Sequence, residues 1–253
     1  MAVYRCIQRE ERLFCEAPTG IGKTMSVLFP ALKAMGEGLE EKIFYLTAKT
    51  MTRQAAQEAV ELLRGQGARV KSVTLTAKDK ICFLQERNCN PEACPYANGH
   101  FDRVNEALFS MLEEEEEFGR KVVESWAKRF RICPFELSLD LTLWCDVIIC
   151  DYNYLFDPAV MLKRFFSDSS SGQWVFLIDE AHNLVHRARE MYSAHISKQS
   201  ILQARRAVGK QQKTLYTVLG KVNEQLHSLR KECGQKPYDV RKQAQEDLNQ
   251  WLQ

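Results

Sequence analysis

No run of about eighteen apolar residues occurs in these 253 residues, so no segment reads as a membrane-spanning helix. The N-terminal stretch MAVYRCIQREERLF lacks the apolar core and small-residue cleavage site of a secretory signal, and the expectation is a cytoplasmic chain. A disulfide framework is missing too. The nine cysteines are odd in number and irregularly spaced, which in a reducing compartment points to metal binding or thiol chemistry. Strong net charge is absent: at +2, the balance alone argues for no polyanionic partner. No internal repeat is visible. What remains is an ordinary globular composition, 45% hydrophobic and 27% charged, long enough for one large domain or two smaller ones. The charge is uneven, however. From Ile201 to Gln253 there are ten Lys and Arg against five Asp and Glu. Such a basic helical tail suits a polyanion; a solvated helix face is the alternative.

Along the chain, RLFCEAPTGIGKT reads as a short strand (Leu13 to Cys15), a tight loop and a helix from Lys23 to Met35. Apolar runs at Lys42–Ala48, Arg69–Leu75, Asp146–Tyr152 and Trp174–Glu180 read as further strands, with a polar helix over Thr52–Arg64. Near-continuous apolar strands alternating with helices predict an α/β fold with a parallel sheet covered on both faces. The stretch from about Thr76 to Leu137 breaks this rhythm and reads as an insertion, carrying cysteines and the acidic run Glu113–Glu117. SDSSSG (Ser167 to Gly172) reads as a loop, and beyond about Ser193 the pattern is helical.

APTGIGKT (Ala17 to Thr24) matches the Walker A phosphate loop, with Ala17 where the general form has Gly. Gly20 and Gly22 let successive backbone N–H groups turn toward phosphate oxygens, and the helix N-terminus adds its partial positive charge. Lys23 would reach the β- and γ-phosphates and Thr24 would ligate Mg²⁺. Thr19, Gly20, Gly22, Lys23 and Thr24 are therefore the candidate nucleotide-binding residues.

FLIDEAH (Phe176 to His182) ends an apolar strand with two carboxylates. A strand terminus beside a phosphate loop suits a Walker B group. Asp179 would hold Mg²⁺ through its water shell, and Glu180 would orient and deprotonate the attacking water while the metal and Lys23 offset developing charge. His182 lies where it could couple the nucleotide site to whatever else the domain binds.

With these two boxes in place the sequence resembles the superfamily 2 helicases: Ala17–Thr24 looks like motif I and Asp179–His182 like motif II. YLTAKTMT (Tyr45 to Thr52) looks like motif Ia, and the resemblance implies that Lys49 and Thr50 contact the phosphates of single-stranded DNA. Between Ia and II lie Cys82, Cys89, Cys94 and Cys133, separated by six, four and 38 residues. One branch has cysteines at this place, the XPD/DinG family, where four of them hold a [4Fe–4S] cluster. Thiolates suit iron–sulfur clusters and zinc alike, but structural zinc sites favour two short pairs, and only Cys89 and Cys94 make one. Cys6, Cys15, Cys145, Cys150 and Cys233 read as core or surface residues. DVIICDYNYLFDP (Asp146 to Pro158) also resembles the family, bacterial DinG-like members most of all.

The resemblance implies an ATP-dependent DNA helicase with ATP, Mg²⁺ and a [4Fe–4S] cluster, a monomer moving 5′→3′ on single-stranded DNA. It implies a RecA-like domain in two parts, residues 1–75 and 138–191, an iron–sulfur insertion at 76–137 and the start of a helical arch at 192–253. Motifs III to VI and a second RecA-like domain are not found in the sequence. The expectation is a fragment of a larger helicase that binds ATP weakly and turns over little. The rival readings are a non-catalytic nucleotide- and DNA-binding module, and a zinc-stabilised DEAH ATPase acting on RNA.

Overall fold

The computed structural model describes residues 1–18, 20–48, 50–167 and 172–233. They fall into two compact units, Met1–Tyr192 and the residues from Ser193 onward.

The first unit is built on a five-stranded sheet. Its strands are β1 (Lys42–Leu46), β2 (Ser72–Thr74), β3 (Glu117–Phe118), β4 (Val147–Cys150) and β5 (Trp174–Ile178). Their spatial order is β3-β2-β4-β1-β5, and every pairing is parallel. Register follows from the apolar runs: Phe44 lies between Ile148 on one side and Phe176 on the other. Four of the expected strands form, each shorter than read. Strand β3 lies at the end of the acidic run, where Phe118 reaches the core; two residues are too short a signal to read in a sequence.

Alternation along the strands divides the core into two layers. Ile43, Tyr45, Val147, Ile149 and Leu177 face helices α2 (Lys23–Gly36) and α3 (Thr50–Gly65) through Leu28, Ala31, Ala56 and Val60. Phe44, Leu46, Ile148 and Cys150 face the other way. There they meet α5 (His100–Glu114), α6 (Arg120–Phe130) and α7 (Pro134–Leu141) through Val104, Met111, Trp126 and Leu137. Residues 76–137 thus share the sheet's own core. The short helices α4 (Lys78–Ile81), α8 (Asn153–Phe156) and α9 (Lys163–Phe166) fill the connections, and α1 (Ala2–Gln8) packs on α2.

Two expectations are corrected. Leu13 to Cys15 do not form a strand: Phe14 is 91% exposed, and none of the three joins a sheet ladder. A strand needs a neighbour for its backbone groups, and this apolar run is too short to bury itself. Strand β5, expected in a sheet covered on both faces, is an edge strand in which only Leu177 is buried. It is apolar because its inner edge pairs with β1 and Phe176 stacks on Phe44 at 5.5 Å.

The second unit contains α11 (Lys198–Val208) and α12 (Lys213–Cys233), as its helical pattern predicted. Ser197 caps α11 reciprocally with Ser200, and the Arg205 guanidinium lies 4.2 Å from the centroid of the Tyr216 ring. Helix α10 (Leu184–Met191) belongs to the first unit.

Candidate functional site

The phosphate loop ends on a glycine hinge. Gly20 and Gly22 have φ of 85° and 78°, and Gly22 caps α2 in the left-handed region. A side chain at either position would cost about 1–2 kcal/mol of backbone strain. The turn makes Lys23 and Thr24 the first residues of α2, where unpaired N–H groups and the helix dipole favour an anion. Thr19 lies outside the described residues.

The acidic box arrives from the sheet. The Asp179 N–H donates to the Leu46 carbonyl at 3.0 Å, extending the β1–β5 ladder by one residue. At Glu180 the chain turns sharply, with φ 53° and ψ 42°. A non-glycine residue there is strained and must be held by its surroundings. Three donors hold it. The main-chain N–H and the side-chain amide of Asn183 both reach the Glu180 carbonyl at 3.0 Å, and the Tyr152 hydroxyl lies 3.2 Å away. Tyr152 also donates to the Asp179 carbonyl. Burial, reinforced by the charges of Asp179 and Glu180, pushes the Tyr152 phenol up to about 12, so it stays a donor.

These two elements meet. Lys23 Nζ lies 3.2 Å from Glu180 Oε1, joining residues 157 positions apart, and both side chains are about one-third exposed. His182 Nδ1 is 3.6 Å from Glu180 Oε2 and faces solvent. Buried Tyr45 from β1 lies near both candidate metal ligands, close enough for Thr24 and Asp179 to act on its phenol. Burial drives its phenol well above the ordinary value, and the nearby Asp179 charge acts in the same direction. The cluster therefore offers an ammonium, a hydroxyl, two carboxylates and a neutral phenol at the end of one helix. That set can neutralise a polyphosphate, hold a hard cation and orient a water molecule.

Motif Ia forms the neighbouring loop. Thr47 is buried and shares a hydroxyl hydrogen bond with Thr52. Thr50 opens α3, and Lys49 lies outside the described residues.

Cys82 follows α4, Cys133 caps α7, and α4 packs on α7. Lys78 pairs with Glu136 at 3.2 Å and sits close enough to Cys89 and Cys133 to interact with both electrostatically. Cys94 is buried and Cys89 exposed. Burial pushes the Cys133 thiol up, against main-chain hydrogen bonds from Glu136 and Phe135. Among the described residues no three His, Cys, Asp or Glu side chains stand in metal-ligand geometry. The donor chemistry suits a soft metal, and Cys89 and Cys133 both lie near Lys78 without a preformed cage among the described residues. His100, absent from the sequence-derived set, belongs here. It is buried, its Nδ1 accepts from the Cys133 N–H at 3.3 Å, and its Nε2 has no partner among the described residues. Cys145 and Cys150 are core residues, fully buried, with burial pushing the Cys145 thiol up to about 12.

Sequence reading missed Tyr45 as a site residue, and it missed Arg53, Asp151, Tyr152 and Arg187. Asp151 and Tyr152 lie just past the end of β4, while Arg53 and Arg187 lie within helices α3 and α10. Only the Asp-Tyr step at the end of the apolar run Val147–Cys150 gave a local signal.

Comparison with known proteins places this arrangement. The DEAD_2 family matches residues 50–201, more than half of the chain. The Fanconi anemia group J protein homolog of Gallus gallus is 28% identical over 181 residues, spanning 65% of this chain and 14% of that protein. The regulator of telomere elongation helicase 1 homolog of Caenorhabditis briggsae is 26% identical over 230 residues, spanning 74% of this chain and 23% of that protein. The general transcription and DNA repair factor IIH helicase subunit XPD of Arabidopsis thaliana is 22% identical, spanning 81% of this chain and 31% of that protein. The chain thus spans less than a third of each of these relatives. A solved XPD helicase superposes with a TM-score of 0.64 at 21% identity, over 89% of this chain and 38% of that one. With the phosphate loop, the DEAH box and the family match agreeing, the chain belongs to the DEAD_2 family of XPD/DinG-like superfamily 2 helicases.

Proposed function

We propose that this chain carries the nucleotide-binding face of an ATP-dependent DNA helicase, which couples ATP hydrolysis to movement along single-stranded DNA in DNA repair. The observation that supports it most is the 3.2 Å approach of Lys23 to Glu180, with Thr24, Tyr45 and Asp179 beside it. The Gly20–Thr24 turn would cradle the phosphates, with Thr19 at its edge, and Lys23 would leave Glu180 for the β- and γ-phosphates. Thr24 and Asp179 would hold Mg²⁺, which supplies charge neutralisation at the transferring phosphoryl group. Glu180, released from Lys23, orients the attacking water and accepts its proton, and His182 links this turn to the bound nucleic acid. Lys49 and Thr50 contact the strand backbone. The enzyme works as a monomer, 5′→3′, in the cytoplasm.

Cys82, Cys89, Cys94 and Cys133 are the residues that would hold a [4Fe–4S] cluster, which would brace the fold of residues 76–137 beside the path of the strand. Cys82 and Cys133 at the ends of the packed helices α4 and α7, with Lys78 near Cys89 and Cys133 to offset thiolate charge, support this reading. The helical segment from residue 192 would begin an arch domain.

The experiment is Glu180→Gln in the full-length protein. ATP binding should persist while turnover falls by about 10²–10⁴, the contribution of a positioned general base. Unchanged turnover would overturn the assignment, and a wild-type protein with no DNA-dependent ATPase would point to a non-catalytic binding module. Iron and acid-labile sulfide in near-equal amounts, lost in Cys89→Ser, would support the cluster. One zinc and no sulfide would replace it with a structural zinc site.

A further inference from the structure

Two adjacent side chains just past the end of β4 reach different parts of the molecule. Tyr152 holds the carbonyls of Asp179 and Glu180. Asp151 accepts from Arg53 at 3.4 Å and from Arg187 at 3.0 Å. Arg53 stands in the first turn of α3, three residues beyond Thr50. Arg187 stands on α10, seven residues beyond Glu180, and also donates to Asn153 at 2.8 Å and Glu190 at 3.1 Å. Asp151 is itself shaped by a turn, its Oδ1 accepting from the Asn153 N–H at 3.1 Å. One dipeptide therefore joins the first turn of α3, the backbone of the acidic box and the helix that follows it.

This network is a poor stabiliser. Asp151 is four-fifths buried, and two guanidinium groups share its single charge. Arg53 Nε and Arg187 Nε are buried with no hydrogen-bond partner among the described residues. Partly satisfied buried ion networks return little of their desolvation cost, which leaves placement as their use. What they place is specific: a strained Glu180 turn on one side and the start of α3 on the other.

We propose that Asp151 and Tyr152 are positioning residues that lock the Glu180 turn to the N-terminal turn of α3, so that nucleic acid bound at the loop after β1 sets the orientation of the catalytic carboxylate. The inference rests on the helicase reading above. Tyr152 fixes the turn from within, and Asp151 carries the orientation of α3 to it through Arg53 and, through Arg187, to α10.

The test measures steady-state ATPase of the full-length protein with and without a single-stranded oligonucleotide, alongside binding of a fluorescent ATP analogue and the melting temperature. Tyr152→Phe removes the hydroxyl that holds both carbonyls and should lower kcat about tenfold, with KM and analogue affinity unchanged within twofold. Asp151→Asn should cut the ratio of DNA-stimulated to DNA-free turnover by roughly threefold to tenfold, the size of coupling carried by such contacts. Asp151→Asn and Arg53→Gln combined should be no worse than either alone, because they break the same link. If Asp151→Asn lowers both rates equally, or leaves the ratio unchanged, the coupling is wrong and the residues are merely structural. An unaltered kcat in Tyr152→Phe also overturns the proposal. Should Asp151→Asn melt below the assay temperature, Arg53→Gln and Arg187→Gln, each removing one partner, carry the same test. A wild-type enzyme without ATPase activity would instead sink the helicase reading, and the two failures are distinct.

Discussion

Lys23 Nζ and Glu180 Oε1 lie 3.2 Å apart, an ion pair between the first residue of a helix and a residue in a left-handed turn. The pair is about one-third exposed, and such contacts contribute at most about 1 kcal/mol. Its significance is positional. It brings the proposed phosphate-binding cation and the proposed water-activating carboxylate to one point through separate elements of the fold. Lys23→Ala should therefore shift the melting temperature only slightly while raising the dissociation constant for ATP by tenfold or more. Equal loss of stability and binding would contradict this.

The backbone at Glu180 makes a second test. Its φ of 53° suits glycine, so Glu180→Gly should be more stable than Glu180→Ala by about 1 kcal/mol in urea unfolding. Neither variant should hydrolyse ATP. If Ala is the more stable, the turn is not strained as described.

Glu40 lies just before β1, buried, with both carboxylate oxygens unpartnered among the described residues. Burial pushes its carboxyl from 4.5 up to about 8. The folded chain keeps the proton where the unfolded chain has lost it, so this contribution to stability is full below about 4.5 and is lost as pH rises through about 8. Glu40→Gln should remove that slope and stabilise the protein at pH 8.5 by a few kcal/mol, since one pKa unit corresponds to about 1.4 kcal/mol. Urea midpoints of both proteins from pH 5 to 8.5 would show it. Parallel curves would mean that Glu40 is satisfied.

The aromatic cluster on the sheet should dominate core stability. Phe44 is fully buried, with ring centroids of Phe165, Phe166 and Phe176 at 5.3, 5.1 and 5.5 Å. Phe44→Ala should cost about 3–5 kcal/mol. Phe14→Ala, at a position 91% exposed, should cost under about 0.5 kcal/mol. A large effect at Phe14 would mean that the residues before the phosphate loop are packed after all.

Two cysteine substitutions separate metal binding from packing. Cys145→Ser places a hydroxyl in the core and should cost about 1–3 kcal/mol, with bound metal unchanged. Cys89→Ser, at an exposed position, should leave the metal-free fold intact and lose the metal. Retention of full metal content in Cys89→Ser would remove Cys89 from the ligand set.

Much of the site was legible in the sequence because its chemistry is local. A phosphate loop must place glycine, lysine and threonine within a few residues, and an acidic box must follow a strand. Both read directly from Ala17–Thr24 and Asp179–His182, and four strands announced themselves as apolar runs. The tertiary structure decided the rest, because it depends on pairings between distant residues. Leu13–Cys15 has strand composition and no strand neighbour. Two residues, Glu117 and Phe118, became a strand because β2 offered them an edge. Tyr45, read as part of motif Ia, turned inward toward Thr24 and Asp179 because of its place in the β1 alternation. No spacing in the sequence says that Asp151 stands between Arg53 and Arg187, which lie 98 and 36 residues away. Local patterns set which groups can do chemistry; which of them meet was set by the register of a parallel sheet, where each strand's end is positioned by its neighbours.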